Sequence, residues 1–424
     1  MVPLAREAPL AVKPPDAKSV LPSAPSPNSN LTPPLTPVEE DSKIPTLGSV
    51  QSQVSPLWAA QLDGPSECSL TLQYRCGQDG KLIEYGRGAW SSVYSAISID
   101  HALSLNASPP RTPTRGSSAS SPKLGPLSSS SINNNTVYAV KVASGRESYD
   151  AISAEADILT YIHLPFHGYV PSAHAIVMTA IPLSFASYIR TRAREAAAAF
   201  STRTMLKPVL GMVTWLSFAS KLVEGMRWLH EAGVVHGDIK PQNILLRPRI
   251  PTIGSNTATT TTTSSSAAID DTGVDSFDLL FIDFTSSLYS RGSNMALNST
   301  AGARLATSIP FTAPELLSVS SMAAAPNPEP SSDIFSLALT LVAAAIGYVD
   351  VYPGLERHRG IAIAQDGHRV IEFVRSGDQG TRIPRKGAVE KVISPAVLKE
   401  AERRVSAEQW LAIIRGEIAA FDLK

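Results

Sequence analysis

Cysteine is nearly absent. The 424 residues hold two, Cys68 and Cys76, and neither belongs to a Cys-x-x-Cys pair of the kind that binds zinc or carries redox chemistry. A reducing compartment is therefore expected, cytoplasmic and/or nuclear. An excess of charge is also missing: Lys plus Arg and Asp plus Glu both number 37. No global basic field would draw the chain to nucleic acid or an anionic membrane, and neither is expected as a partner. Long hydrophobic runs are missing too. The longest charge-free apolar run, IFSLALTLVAAAIGYV from Ile334 to Val349, falls short of the roughly 18 residues a membrane span needs and reads as a buried core helix. The N-terminal MVPLAREAPLAVKPPD has no uninterrupted apolar stretch, and its prolines and acids argue against a secretory or transit peptide.

Proline, serine and threonine are plentiful, and they are unevenly spread. Residues 1–66 are thick with them and short of aromatics, a composition that buries too little apolar surface to offset chain entropy. That segment is expected to be a disordered arm. Stretches of the same character lie at about 103–135, 249–276 and 321–332 and read as low-complexity insertions, which cost little because loop-closure entropy grows slowly with length.

The text between these breaks is ordered in kind. KLIEYGRGAWSSVYSAISI and NTVYAVKVAS read as strands rich in β-branched and aromatic residues, the first bent around a Gly-x-Gly turn. SYDAISAEADILTYI carries Ile152, Ile158, Leu159 and Ile162 at helical spacing, and HAIVMTAI follows as a strand. WLSFASKLVEGMRWLHEAG is a second amphipathic helix, with Leu216, Leu222, Val223, Met226 and Leu229 on its apolar side. The remainder is expected to be mostly helical. Strands first and helices later predict an α+β fold of two unequal lobes, here a single domain over 67–424.

Within this frame stand, in order, GRGAWSSV (Gly86 to Val93), AVK ending at Lys141, AEADIL with Glu155, HGDIKPQN with Asp238, FIDF with Asp283, and APE at Ala313 to Glu315. A lone Gly-x-Gly is usually only a turn, a lone strand lysine usually snorkels, and an aspartate after a helix is usually a turn residue. The ordered set is far more specific. Across residues 69–420, with the insertions set aside, it resembles the protein kinase family and its bilobal fold, a small β-rich N-lobe and a larger helical C-lobe.

The resemblance implies a site for ATP and Mg²⁺, because phosphoryl transfer is largely a matter of positioning and neutralising spread negative charge. Gly86 and Gly88 would let backbone amides approach the phosphates, with Ser91 small where the family's third glycine stands. Val93 and Ala139 belong to the implied nucleotide pocket. Lys141 would contact the α- and β-phosphates, held by an ion pair with Glu155. Asp238 resembles the catalytic base, Lys240 would reach the γ-phosphate, and Asn243 and Asp283 would hold the metal. Met178 falls at the gatekeeper position, which makes the backbones of Thr179 and Ile181 the adenine contacts. An adenine site is itself an apolar cleft, so these residues are equally strand core. Glu315 is expected to pair with Arg404 in RRVSAEQWL, and Asp333 to hold the backbone of the catalytic loop.

Protein kinases usually carry His-Arg-Asp where this chain has His236, Gly237 and Asp238. His-Gly-Asp also occurs in small-molecule kinases of the aminoglycoside and choline phosphotransferase type. That group typically has histidine where Lys240 stands and lacks the APE segment with its paired arginine, so the balance favours protein substrates. Lys240 and Ser308 resemble the Ser/Thr-specific pattern. Gly237 removes the guanidinium that would grip a phosphate on the activation segment, which predicts activity independent of phosphorylation there. Thr285 stands where the family has glycine, and a β-branched residue resists positive φ by about 1–2 kcal/mol. The change predicts either a segment that flips out less readily or a pseudokinase scaffold.

Ser-Pro or Thr-Pro pairs at Ser26, Thr32, Thr36, Ser55, Ser108, Thr112 and Ser121 fit an upstream proline-directed kinase equally as well as the chance yield of proline-rich sequence. LTPPLTP has the form of a polyproline ligand for SH3 or WW domains. RTRAREAAAAF, from Arg190 to Phe200, reads as a solvated helix face.

Overall fold

In the computed structural model, residues 65–98, 136–162, 166–249, 277–289, 308–317 and 327–422 are described, and all of them belong to one compact unit, Gln61–Lys424. The arm up to residue 64, nearly all of the low-complexity stretches, the seven Ser-Pro and Thr-Pro sites and the LTPPLTP segment lie outside the described residues.

The N-terminal half is a six-stranded antiparallel sheet, in which β1 (Leu72–Tyr74) and β2 (Glu84–Arg87) both pair with β3 (Ser91–Ser98), followed by β4 (Val137–Ala143), β6 (Ala175–Thr179) and β5 (Phe166–Val170). Alternation along β4 decides what each face carries. Tyr138 and Val140 turn to the outer face, where they cluster with Ala96, Ala175 and Val177. Ala139 and Lys141 turn inward, beside Val93 across one ladder (Val93↔Lys141) and Met178 across the other (Ala139↔Met178). Helix α1 (Tyr149–Tyr161) buries Ile152, Glu155, Ala156, Ile158 and Leu159. Their spacing puts Glu155 on the apolar face, among side chains that exclude water from it.

The chain reaches this sheet by a strap. Ser66 donates its N–H to the Thr160 hydroxyl at 3.1 Å, Tyr169 N–H is 2.7 Å from Ser66 O, and Cys68 N–H is 2.9 Å from Tyr169 O. Cys68, Leu70 and Leu72 then pack over the outer-face cluster. Gly168 permits the crossing: at φ +128° it leaves the place where a Cβ would stand 2.5 Å from Cys68 Cα and N. Ser66, which the sequence reading placed at the end of the arm, is tied to the sheet and to α1 by these hydrogen bonds.

The C-terminal half is helical around α4 (Pro330–Ile346), whose side chains from Ser332 onward are all buried. A capping box between Glu329 and Ser332 and a proline at the first turn start it, and Gly347 at φ +82° ends it. Helix α4 is the expected core helix, but its first turn takes in Pro330–Ser332, which read in the sequence as part of an insertion at 321–332. Around it lie α2 (Phe185–Ala198) and α3 (Met212–Glu231), followed by α5 (Arg357–Gln365), α6 (Val370–Arg375), α7 (Ala388–Ile393) and α8 (Ala407–Asp422). On α2 the expected solvated face is present, with Arg190, Arg194 and Glu195 exposed. Two small β-ladders complete this half: β7 (Val234–Val235) with β10 (Leu288–Tyr289), and β8 (Ile244–Pro248) with β9 (Phe277–Phe281). Among the described residues, no helix is long and apolar enough to cross a membrane.

Candidate active site

A cleft of about 620 Å³ lies between the sheet and the β8–β9 ladder. It is lined by Gly86, Gly88, Ser91, Val93, Ala139, Lys141, Glu155, Met178, Thr179, Ile181, Lys240, Asn243 and Asp283. Every residue expected to touch nucleotide or metal is thus brought to one wall or another. Asp238 lies just outside that lining, joined to it through Lys240. Leu245 and Leu280, partners across the β8–β9 ladder, also line the cleft; the period-2 alternation of their strands was the available signal for them.

At the inner end Lys141 meets two carboxylates. Its Nζ lies 2.6 Å from Glu155 Oε2 and 2.6 Å from Asp283 Oδ1, and the Lys141 and Glu155 side chains are 6% and 1% exposed. Burial alone would lower the Lys141 pKa, but the charges of Asp283 and Glu155 outweigh it and hold the ammonium above its ordinary range. Burial raises Glu155, against the pull of Lys141. For Asp283 burial works upward, and the adjacent Lys141 charge and hydrogen bond overcome it, so this carboxylate sits below the usual range. The cluster thus sets two carboxyl groups around one ammonium.

The second centre is built on the β7–β8 connection. Asp238 is 6% exposed, and Lys240 Nζ stands 2.7 Å from its Oδ2 and 2.8 Å from Ser308 Oγ. Burial raises the Asp238 pKa, with Lys240 opposing. Asn243 donates from Nδ2 to Asp238 O at 2.9 Å and to Asp238 Oδ2 at 3.2 Å. Its amide oxygen carries no hydrogen bond among the described residues.

Backbone contacts place these groups. Asp333, 1% exposed, accepts the His236 N–H on Oδ2 at 2.8 Å and the Gly237 N–H on Oδ1 at 2.9 Å, and His230 Nε2 lies 3.0 Å from Oδ2. Gly237 has φ +76°, and a Cβ there would collide with the Ser286 carbonyl oxygen. The His-Gly-Asp spelling is therefore a packing requirement of this chain: the segment after Asp283 runs where an arginine side chain would begin. Phe284, 1% exposed, stacks obliquely on His236 at 4.8 Å and donates its N–H to Glu155 Oε1 at 3.1 Å. Arg404 pairs with Glu315 through two contacts of 2.7 Å, as the sequence led one to expect.

The residue taking positive φ is Asp283 itself, at φ +67°, while Phe284, Thr285 and Ser286 form a 3₁₀ turn. Thr285 thus avoids the strain expected of a β-branched residue there. Its hydroxyl donates to Asp283 Oδ1 at 2.8 Å, a contact not foreseen, although a hydroxyl two residues from an aspartate is a recognised local bonding pattern.

The donor set fits a hard cation bound together with phosphates. Asp283 Oδ2 and the Asn243 amide oxygen are free among the described residues, and Mg²⁺ takes one or two protein oxygens plus phosphates and water rather than an all-protein cage. A Cβ on Gly86 would meet nothing within 4 Å, so the sheet does not need that glycine and the open space beside it can admit a ligand.

The model of the protein kinase domain matches residues 131–412, about two thirds of the chain. The chain belongs to the protein kinase family. The strand that carries Gly86, β2, precedes the matched region and pairs with β3, which in turn pairs with β4, so the sheet joins what the match leaves apart. A protein of Arabidopsis thaliana described as mitogen-activated protein kinase kinase 10 is 28% identical over 114 residues, 27% of this chain and 34% of that protein. The chain thus spans about a third of the length of the curated relative it matches.

Proposed function

We propose that this chain is a catalytically active Ser/Thr protein kinase that transfers the γ-phosphate of ATP to hydroxyls of protein substrates. One observation carries this reading: Lys141 bridges Glu155 and Asp283 while Lys240 bridges Asp238 and Ser308, so both centres are assembled together beside one cleft. Lys141 neutralises the α- and β-phosphates, and Met178, Thr179 and Ile181 frame the adenine with Val93 and Ala139. Asp238 accepts or orients the proton of the incoming hydroxyl, and Lys240 stabilises charge on the transferring phosphoryl group. Asn243 and Asp283 would hold Mg²⁺, which would supply positive charge to neutralise the phosphates.

The Ser/Thr preference rests on Lys240 and on Ser308, whose N–H donates to Thr312 Oγ1 at 2.9 Å. The Gly237 backbone supports independence from activation-segment phosphorylation, since position 237 offers no guanidinium to a phosphate and Ser286 already abuts the loop there. The same substitution, with Thr285, favours the rival reading of a scaffold that binds nucleotide without transfer.

The deciding experiment offers the full chain labelled ATP and Mg²⁺ with casein-like proteins and, in parallel, aminoglycosides and choline. Phosphoserine or phosphothreonine is expected, reduced about 10²- to 10⁴-fold in Asp238→Asn. ATP binding without transfer sinks the reading in favour of the scaffold, and a labelled small molecule moves the chain to the phosphotransferase type. Phosphatase treatment that abolishes activity ends the claim of phosphorylation independence.

A further inference from the structure

The carboxylate of Asp283 is pinned from two sides. Lys141 Nζ and Thr285 Oγ1 both bond to the same oxygen, Oδ1, at 2.6 and 2.8 Å. Oδ2 is left without a hydrogen bond among the described residues, on a side chain that lines the cleft and is 35% exposed. A single donor on Oδ1 would leave the carboxylate free to rotate about its Cβ–Cγ bond, a broad and soft torsion. A second donor from a different direction removes that freedom. The backbone that carries the hydroxyl is itself held on both sides, by the Phe284 N–H on Glu155 and by the Ser287 hydroxyl on His236 O at 2.7 Å. A β-branched side chain has restricted χ1 freedom, so little rotamer entropy is lost in holding the hydroxyl there.

We propose that Thr285 is a positioning residue for the divalent cation: its hydroxyl fixes the plane of the Asp283 carboxylate so that Oδ2 is presented to Mg²⁺ bound with the nucleotide. The inference rests on the kinase reading and deepens it, because it turns the departure at this position from a sign of lost function into a built part of the metal site. A glycine here would supply no side chain to do this work. Groups that hydrogen-bond to a metal's ligands commonly change metal affinity by about 10- to 100-fold when removed.

The test uses the full chain and three variants, Thr285→Val, Thr285→Ser and Thr285→Gly, with ATP affinity measured calorimetrically without metal and across a Mg²⁺ series. Thr285→Val keeps the shape and removes the donor. It is expected to raise the Mg²⁺ concentration needed for half-maximal enhancement of ATP binding by about 10-fold, with metal-free ATP affinity changed by less than about 2-fold. Thr285→Ser, which keeps the donor, is expected to stay within about 3-fold of wild type, and Thr285→Gly to behave like valine, providing a second variant without the hydroxyl should valine fail to fold. An unchanged Mg²⁺ dependence in the variants lacking the hydroxyl overturns the proposal. So does an equal loss of metal-free binding, which marks a merely structural role, or a serine variant as poor as valine. Wild-type protein that binds ATP with no response to Mg²⁺ overturns it as well, and protein that binds no ATP under any condition overturns the kinase reading along with it.

Discussion

The two halves of the site are held by different physics. Lys141 and Glu155 belong to a sheet and a helix whose outer-face core consists of Ala96, Tyr138, Val140, Ala175 and Val177 under a strap of chain, and charge pairing joins them to Asp283. The loop carrying Asp238 and Lys240 is instead anchored by two backbone N–H groups on Asp333, at the start of a helix buried on all sides. Ion contacts across a cleft exchange readily for contacts to ligand. Backbone groups bonded to a buried carboxylate have no such alternative, because water cannot reach them. The sheet-side contacts are therefore the ones expected to exchange when ligand binds, and the loop-side contacts the ones expected to persist.

The largest effect should come from forcing a side chain into the loop side. Gly237→Arg, which restores the family's usual spelling, must accommodate a Cβ against Ser286 O at positive φ and is expected to lower stability by about 3 kcal/mol. Urea denaturation checks this; a gain in stability or activity would show that the close approach of the two segments has been misread. Next comes a paired comparison of two buried cations. Arg404→Met leaves Glu315 without its bidentate partner and should cost about 3 kcal/mol of global stability. Lys141→Met should abolish ATP binding yet cost less in global unfolding, since α1 can withdraw. Equal losses in the two variants would erase the contrast between the halves.

A smaller effect is expected from removing residues 1–70, which takes away the Ser66 and Cys68 bonds and the packing of Leu70. Hydrogen exchange should quicken in α1 and β4–β6 while α3 and α4 stay protected, with a stability loss of about 1–2 kcal/mol. Uniform quickening would mean that the strap is not specific to the sheet. The smallest concerns Glu390 in the helical half, where the Arg375 hydrogen bond, outweighing burial, holds the carboxyl below its ordinary range. A depressed carboxyl contributes stability above its unfolded pKa and loses it as pH falls through the folded value. Glu390→Gln should thus cost about 0.5–1 kcal/mol at pH 7, and the gap from wild type should close in acid, as thermal melts across pH 3–7 would show.

Much of the site could be read from residue order. Lys141, Glu155, Asn243 and Asp283 come from separate segments, yet each sits in a short motif whose neighbours constrain it, and the structure brings them to one cleft. What escaped the sequence were contacts between segments without such motifs: Ser66 on Thr160, Gly237 against Ser286, and Leu245 beside Leu280. The Pro330 boundary was misread for a related reason. Proline-rich sequence looks like a break, whereas a proline at the first turn of a helix costs nothing because its missing N–H has no partner there.

By itself the sequence determined the types of the elements that carry Lys141, Glu155 and Met178, the buried character of Ile334–Ile346 and the ordered set of charged residues, since periodicity and local motif are properties of neighbours along the chain. Tertiary structure alone decided why position 237 is glycine and what Thr285 does. Both depend on a backbone or carboxylate approaching from a distant or differently folded segment, and distances of that kind are set by packing rather than by composition.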